Sequence, residues 1–163
     1  MDEFVTTEQR QYVLFRLRAE EYGLPIRRVQ SIIRYEEPTP VPRAPFGVEG
    51  VINLRGQVIP LVDLGLILLG DQIEPTQASR IIVVESGMGS VGLAVDVVSE
   101  VASISVADVR PAPAAALGAE TSEAFEGVVQ HGERLVILLD SEKALPKPVF
   151  MSAGAAQEDG VDV

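Results

Sequence analysis

The chain repeats itself, and this duplication restricts its fold more than any other feature. Gln11-Tyr-Val-Leu-Phe, followed by Tyr22-Gly-Leu-Pro-Ile, matches Arg80-Ile-Ile-Val-Val, followed by Val91-Gly-Leu-Ala-Val, without a gap. Gly23 falls on Gly92, an offset of 69 residues, and the same offset puts Val29 on Val98 and Ile32 on Val101. Further along, Glu49-Gly-Val-Ile and Leu61-Val-Asp63 match Glu126-Gly-Val-Val and Leu138-Leu-Asp140 at an offset of 77. One insertion in a connecting loop reconciles the two offsets. Self-similarity at a fixed spacing marks a fold assembled from copies of one unit.

The unit is made of strands. Runs rich in β-branched and aromatic residues lie at 11–17, 22–26, 32–35, 48–54 and 57–62, and again at 80–85, 91–97, 101–105, 125–130 and 134–139. Gly, Pro or charged clusters separate them, which is the all-β pattern of short, regularly spaced strands. Ile26, Val29 and Ile33 fall at helical spacing, yet Pro25 before them and the Ile32-Ile33 pair favour strand, tight turn, strand. One or two short helices are expected, at 64–69 and 141–145, with Ser141 capping the second. Each half therefore holds five strands in the same order. That predicts two pseudo-duplicated five-stranded barrels packed side by side, each closing to hide its edges.

A lobe of roughly 70 residues buries too little surface to stand comfortably alone, so the two are expected to share an apolar seam. The domain is placed at residues 9–146, with subdomains at about 11–78 and 79–145 and the first strand a candidate for sharing. Residues 107–121, rich in Ala, Pro and Gly, read as an extended connection. Residues 147–163 lack apolar periodicity and read as a mobile tail.

Composition closes several routes to function. Lys plus Arg is 13 against 24 for Asp plus Glu, a net charge of −11, which opposes contact with a nucleic-acid backbone. Cysteine is absent, which removes disulfides, thiolate metal sites and a Cys nucleophile. Apolar residues make up 47 % of the chain, ample for a core and in excess of what small lobes bury, so apolar patches reserved for partners are expected. The start, Met1-Asp2-Glu3-Phe4, lacks the cationic and apolar pattern of a signal peptide. The most apolar stretch, 58–69, is interrupted by Pro60, Asp63 and Gly65 and is too short for a bilayer. A cytoplasmic location without membrane insertion is expected.

Catalytic readings are weak. The one histidine, His131, sits beside Gly132 at a hairpin turn and reads as a solvated loop residue. No paired histidine spacing suggests a metal site, and no cofactor is expected. Gly87-Met-Gly-Ser-Val-Gly92 matches G-x-G-x-x-G but lies between two strands, so a hairpin turn explains it. Asp63 and Asp140 hold equivalent repeat positions and read as caps for the turns after them. A small enzymatic or ligand-binding barrel using Asp63, Asp96 or Asp140 is the competing class. Asn53-Leu-Arg-Gly56 is different: Arg55-Gly56 fits a two-residue hairpin turn, with Arg55 at the tip able to grip a carboxylate bidentately. The second half has Gly132-Glu133 there, so the repeat does not require the arginine.

Several segments, in order, resemble the CheW family of chemotaxis coupling proteins. They include Gln11-Tyr-Val-Leu-Phe-Arg-Leu, Glu21-Tyr-Gly-Leu-Pro-Ile and Val51-Ile-Asn-Leu-Arg-Gly-Gln-Val-Ile-Pro-Leu-Val-Asp-Leu64. Val91-Gly-Leu-Ala-Val-Asp-Val-Val-Ser-Glu-Val101, Val106-Ala-Asp-Val-Arg-Pro-Ala-Pro113 and Leu135-Val-Ile-Leu-Leu-Asp-Ser-Glu-Lys-Ala-Leu145 continue the match, so it covers most of the chain. The resemblance implies SH3-like barrels, no catalysis, and an adaptor joining the cytoplasmic tips of chemoreceptors to the regulatory domain of the histidine kinase CheA in membrane-associated arrays. Receptor contact is implied in the groove between subdomains and kinase contact on the outer face of the first. Asn53, Leu54, Arg55 and Gly56 match the family hairpin, Gly50 matches the glycine before it, and Ile26, Val29, Ile32 and Ile33 match apolar positions near partner surfaces. On this reading Val29, Ile32 and Ile33 supply an apolar contact and Arg55 a directional charged one. Two positions depart from the pattern: Ser31 stands where an acidic residue is frequent, and Gly65 where an arginine is usual. An adaptor of another chemosensory pathway, such as twitching motility, is the alternative.

Overall fold

The computed structural model describes residues 8–86, 89–111, 124–140 and 142–144, and each expected run forms a strand. The first repeat supplies β1 (Gln9–Leu17), β2 (Glu20–Pro25), β3 (Val29–Arg34), β4 (Val48–Leu54) and β5 (Gln57–Asp63). The second supplies β6 (Arg80–Ser86), β7 (Gly89–Val95), β8 (Val97–Ser105), β9 (Phe125–His131) and β10 (Arg134–Leu139). Between β2 and β3 the chain makes a 3-10 turn, Ile26–Arg28, in keeping with the strand, turn, strand reading. The α-helix α1 (Leu64–Leu69) follows β5. Asp63 starts it by accepting the Leu66 N–H at 3.0 Å, and left-handed Gly70 ends it. Asp140 repeats the device, its Oδ1 accepting from the amides of Glu142 and Lys143. Both aspartates are therefore caps. Ser141 and Leu145 of the second expected helix, Gly87 and Met88, most of the 107–121 connection and the tail lie outside the described residues.

The sheets do not follow the repeats. One has the order β3-β6-β7-β5-β4 and the other β8-β1-β2-β10-β9, so each repeat lends its first two strands to the last three of its twin. We call these the first and second barrels. The division into contiguous subdomains at 11–78 and 79–145 is corrected accordingly: four strands are exchanged, and β1 is one of them. The registers preserve the duplication. Val13 faces Leu24 as Ile82 faces Leu93, and Gly23 lies across from Leu138 as Gly92 lies across from Leu61. A repeat identifies equivalent strands without saying which copy each one pairs with, so exchange and self-pairing look alike in the sequence.

Burial explains why the exchange holds. Tyr12, Val13, Leu14 and Phe15 are consecutive on β1 and all buried, as are Ile81, Ile82, Val83 and Val84 on β6. Side chains alternate across a strand, so these two strands are covered on both faces. Tyr12 and Leu14 pack with Ala102, Ile104, Val129, Val136 and Leu138 inside the second barrel. Val13, Phe15 and Leu17 join Ile52, Ile59, Leu61 and Leu93 of the first barrel in one continuous core. That shared core is the expected seam.

Each barrel closes where the chain beyond its edge strand folds onto the opposite edge. Thr39 and Val51 exchange two backbone hydrogen bonds at 2.9 Å, and Arg110 and Val128 exchange two at 2.8 Å. This crossing accounts for the repeated Glu-Gly-Val. A Cβ on Gly50 would lie 2.2 Å from the Thr39 carbonyl oxygen, and one on Gly127 would lie 2.5 Å from that of Arg110. The obstructing atoms are backbone, so they cannot swing aside. Gly127→Ala is expected to destabilise the chain by about 2 kcal/mol or more; an unchanged midpoint in urea unfolding would contradict this origin for the glycine.

Candidate partner-binding surface

The residues expected to meet partners fall in two places, on the 3-10 turn with β3 and on the β4–β5 hairpin. β3 and β4 are the two ends of the first barrel's sheet order and do not pair with each other. Along β3 burial alternates: Val29, Ser31 and Ile33 are half-buried, while Gln30, Ile32 and Arg34 are exposed. Val29 and Ile33 pack against the core, whereas Ile26 and Ile32 present 38 % and 39 % of their surface to solvent. The apolar set thus divides into two supporting residues and two free ones. A bulge between Val29 and Ser31 sets this register. The Gln30 amide nitrogen donates to Glu85 Oε2 at 3.2 Å and its carbonyl oxygen accepts from the Ser90 hydroxyl at 2.7 Å. The strand is therefore fixed to the β6–β7 pair behind it.

In the hairpin, Arg55 and Gly56 have φ of 54° and 86°, the two positive values that a type I′ turn requires. Asn53 secures the turn, its Oδ1 accepting the Gly56 N–H at 2.8 Å. Leu54 turns back onto the core. Arg55 is exposed and pairs with no carboxylate among the described residues. The equivalent hairpin of the second barrel is tied down instead. Arg134 Nη1 lies 3.1 Å from both oxygens of buried Glu21, Arg134 Nη2 lies 3.3 Å from Glu100, and His131 Nε2 lies 3.5 Å from the same Glu100 oxygen. His131 thus stands at the end of β9, partly exposed and beside Glu100. Gly50, expected near a partner, is buried beneath the Thr39 crossing.

An exposed apolar residue on the hairpin itself was not anticipated from sequence. Val58 lies across the hairpin from Asn53 and is 60 % exposed, and its repeat equivalent Leu135 is 61 % exposed. The unbroken apolar run Val58-Ile59-Pro60-Leu61-Val62 hid which side faces out, and only the shared outward position in both hairpins could have signalled it. The Gly65 departure also has a structural cause. A Cβ there would lie 2.8 Å from the Asp71 carbonyl oxygen and from Ile73 Cγ2, so an arginine requires residues 71–73 to run elsewhere.

Beneath this surface lies a small group of acids. Asp63 is buried and accepts from the Ile73 amide as well as that of Leu66. Burial raises its pKa, and those backbone hydrogen bonds partly oppose the rise. Burial also raises Glu49, helped by the charge of Asp63 and opposed by the facing Tyr35 hydroxyl. Tyr35 is itself pushed up to about 12, first by burial and then by Glu49 and Asp63.

Two closed barrels interlocked by exchanged strands, one of them displaying the exposed Ile26 and Ile32 and a projecting arginine hairpin, define the fold class of the chain. The family model for the CheW-like domain matches residues 11–148, which span both barrels, and the chain belongs to that family. Chemotaxis protein CheW of Klebsiella aerogenes is 37 % identical over 139 residues, covering 85 % of this chain and 83 % of its own. Chemotaxis protein CheW of Rhizobium meliloti is 37 % identical over 142 residues, covering 87 % and 91 %. Protein FrzA of Myxococcus xanthus is 30 % identical over 139 residues, covering 84 % and 86 %. The crystal structure of the scaffolding protein TtCheW from Thermoanaerobacter tengcongensis matches with a TM-score of 0.76 at 30 % identity, over 87 % of this chain and 91 % of that one.

The buried acids make stability depend on pH in a definite direction. A carboxyl with a higher pKa in the folded chain binds its proton preferentially there, so stability rises as pH falls through the folded pKa and is fully gained below the unfolded one. Glu49 and Asp63 have ordinary values of 4.5 and 3.8. Tm is therefore expected to be higher at pH 5 than at pH 7.5. Glu49→Gln should raise Tm at pH 7.5 and shrink that difference; a difference of the same size in the variant would contradict the assignment.

Proposed function

We propose that this chain is a non-catalytic adaptor that couples the cytoplasmic tips of chemoreceptors to the regulatory domain of the histidine kinase CheA, at receptor arrays on the membrane. The observation that carries this reading is the asymmetry between the two equivalent hairpins. One is held by a network of ion pairs, while the other presents an arginine with no carboxylate partner among the described residues, on a turn braced by Asn53. A turn fixed in advance costs little order on binding, and the guanidinium at its tip can take a partner carboxylate bidentately. Family membership supplies the chemotaxis context. No helix among the described residues is long and apolar enough to cross a membrane, which agrees with attachment through protein partners.

The kinase regulatory domain is assigned to the outer face of the first barrel, at Ile26, Ile32, Asn53 and Arg55. Val29, Ile33, Leu54, Gly50 and Gly56 support that face from beneath or hold its turn. The receptor tip is assigned to the groove between the barrels. Rigid placement of the two partners suffices for coupling, without an internal switch. The similarity to FrzA supports a second reading, an adaptor of a different chemosensory pathway, with the same surfaces serving a different kinase.

Co-purification with the kinase regulatory domain of the same organism separates these outcomes. Ile32→Asp is expected to abolish capture while leaving the circular-dichroism spectrum unchanged. Arg55→Ala is expected to weaken binding by about 1–3 kcal/mol, the range for an arginine whose partner is desolvated. Capture at wild-type affinity by both variants would overturn the placement. A folded wild-type chain that binds no chemotaxis kinase but captures another sensory kinase would favour the second reading.

A further inference from the structure

Arg34, at the end of β3, lies directly opposite Arg80 of β6 in an antiparallel pair. Like charges facing each other across a ladder are unfavourable, and in a chain carrying −11 an acidic neighbour would be easy to find. Neither arginine takes one: no carboxylate among the described residues forms an ion pair with them, although Tyr35 beside them feels Glu37, Glu49 and Asp63. The fold does not demand the pair. At the equivalent positions of the second barrel Gln11 faces Ser103.

The two guanidiniums border an open cavity of about 410 Å³ lined by Arg34, Tyr35, Thr76, Gln77, Ser79 and Arg80. Its wall is built to hold one arginine still. Arg80 Nη1 donates to the carbonyl oxygens of Gln77 and Ser79, both at 2.8 Å, which leaves its other nitrogens to point elsewhere. Ser79 is 1 % exposed and its Oγ accepts the Thr76 N–H at 2.9 Å, so its hydroxyl proton remains to donate. Thr76 Oγ1 accepts the Ala78 N–H in the same way. Arg34 is exposed and its side chain makes no hydrogen bond or ion pair among the described residues, so its fork is free. The wall thus offers one anchored cation, one free cation and two hydroxyl donors, a donor set that suits an oxyanion.

We propose that this cavity is a binding site for an oxyanion, gripped by the Arg34 fork against the fixed Arg80 edge and the Ser79 hydroxyl. A carboxylate and a phosphate share that chemistry. The first would arrive as an acidic side chain of a protein lying along the outward row Gln30, Ile32 and Arg34, the second as a phosphate-bearing ion. The site is measured on the free chain and stands or falls apart from the adaptor reading.

The test is a titration of the isotopically labelled full chain, followed by amide and arginine side-chain shifts at constant ionic strength. The probes are inorganic phosphate and N-acetylglutamate amide, with chloride as the control. Saturable shifts at Arg34, Tyr35, Ser79 and Arg80 are expected with at least one probe by about 50 mM. Phosphate alone saturating assigns a phosphate-bearing ion, and the glutamate probe saturating assigns an acidic side chain. Arg34→Gln, and Arg34→Ser which copies the second barrel, should each weaken the response about tenfold or more. No saturation with either probe, a response equal to that of chloride, or an undiminished response in both folded variants would overturn the site.

Discussion

Two strands buried on both faces hold this molecule together. β1 and β6 each place four consecutive apolar side chains out of water, which no single sheet with a wet face can do. Each strand is the hydrogen-bonded partner of the other repeat's third strand, so β1 pairs with β8 and β6 with β3. Removing either repeat would strip the other barrel of two strands and expose the shared core. Phe15 and Tyr22, stacked with ring centroids 5.8 Å apart, stand in that seam on exchanged strands and lie against the first barrel's cluster. Interlocking solves the problem that each lobe is too small to be stable on its own.

The same constraint shapes what the surface can do. With the cores merged, the barrels act as one body, and contacts between the β1–β2 turn and its surroundings reinforce this. The Arg18 amide donates to Asp96 Oδ2 at 2.6 Å and its guanidinium reaches Asp71 at 2.8 Å and the Gln72 carbonyl at 2.9 Å. Features left free on such a body stand out: the Arg55 turn, the outward row of β3, and Val58 beside the hairpin. A rigid scaffold presenting preorganised contacts suits the proposed adaptor role, because little order has to be gained on binding.

Much of this was legible in the sequence, and the gaps have physical causes. Strand positions followed from β-branched runs between turn residues, and Pro25 with Ile32-Ile33 correctly outweighed a helical spacing at 26–33. Asp63 and Asp140 were readable as caps because both stand where a strand ends and a turn begins. The exchange was not readable, since equivalent strands in two copies carry the same pairing edges. Gly50 resembled a binding-site glycine until the crossing at Thr39 showed that it makes room for backbone. The division of Val29 and Ile33 from Ile32 depends on register at a bulge, and a one-residue slip reverses every face. Arg34 carries no signal in the sequence because its significance lies in Arg80, some forty-six residues away in the chain and adjacent only across the ladder.

Whether the first barrel binds as a rigid body is read most directly from a map of amide shifts on the full chain when the kinase regulatory domain is added. Changes are expected to concentrate on Ile26 to Arg34 and Asn53 to Gln57, with β1, the core of β6 and the second hairpin at Arg134 unmoved. Changes centred on the second barrel, or spread through β1 and β6 as the core rearranges, would contradict a rigid scaffold that binds through its first barrel.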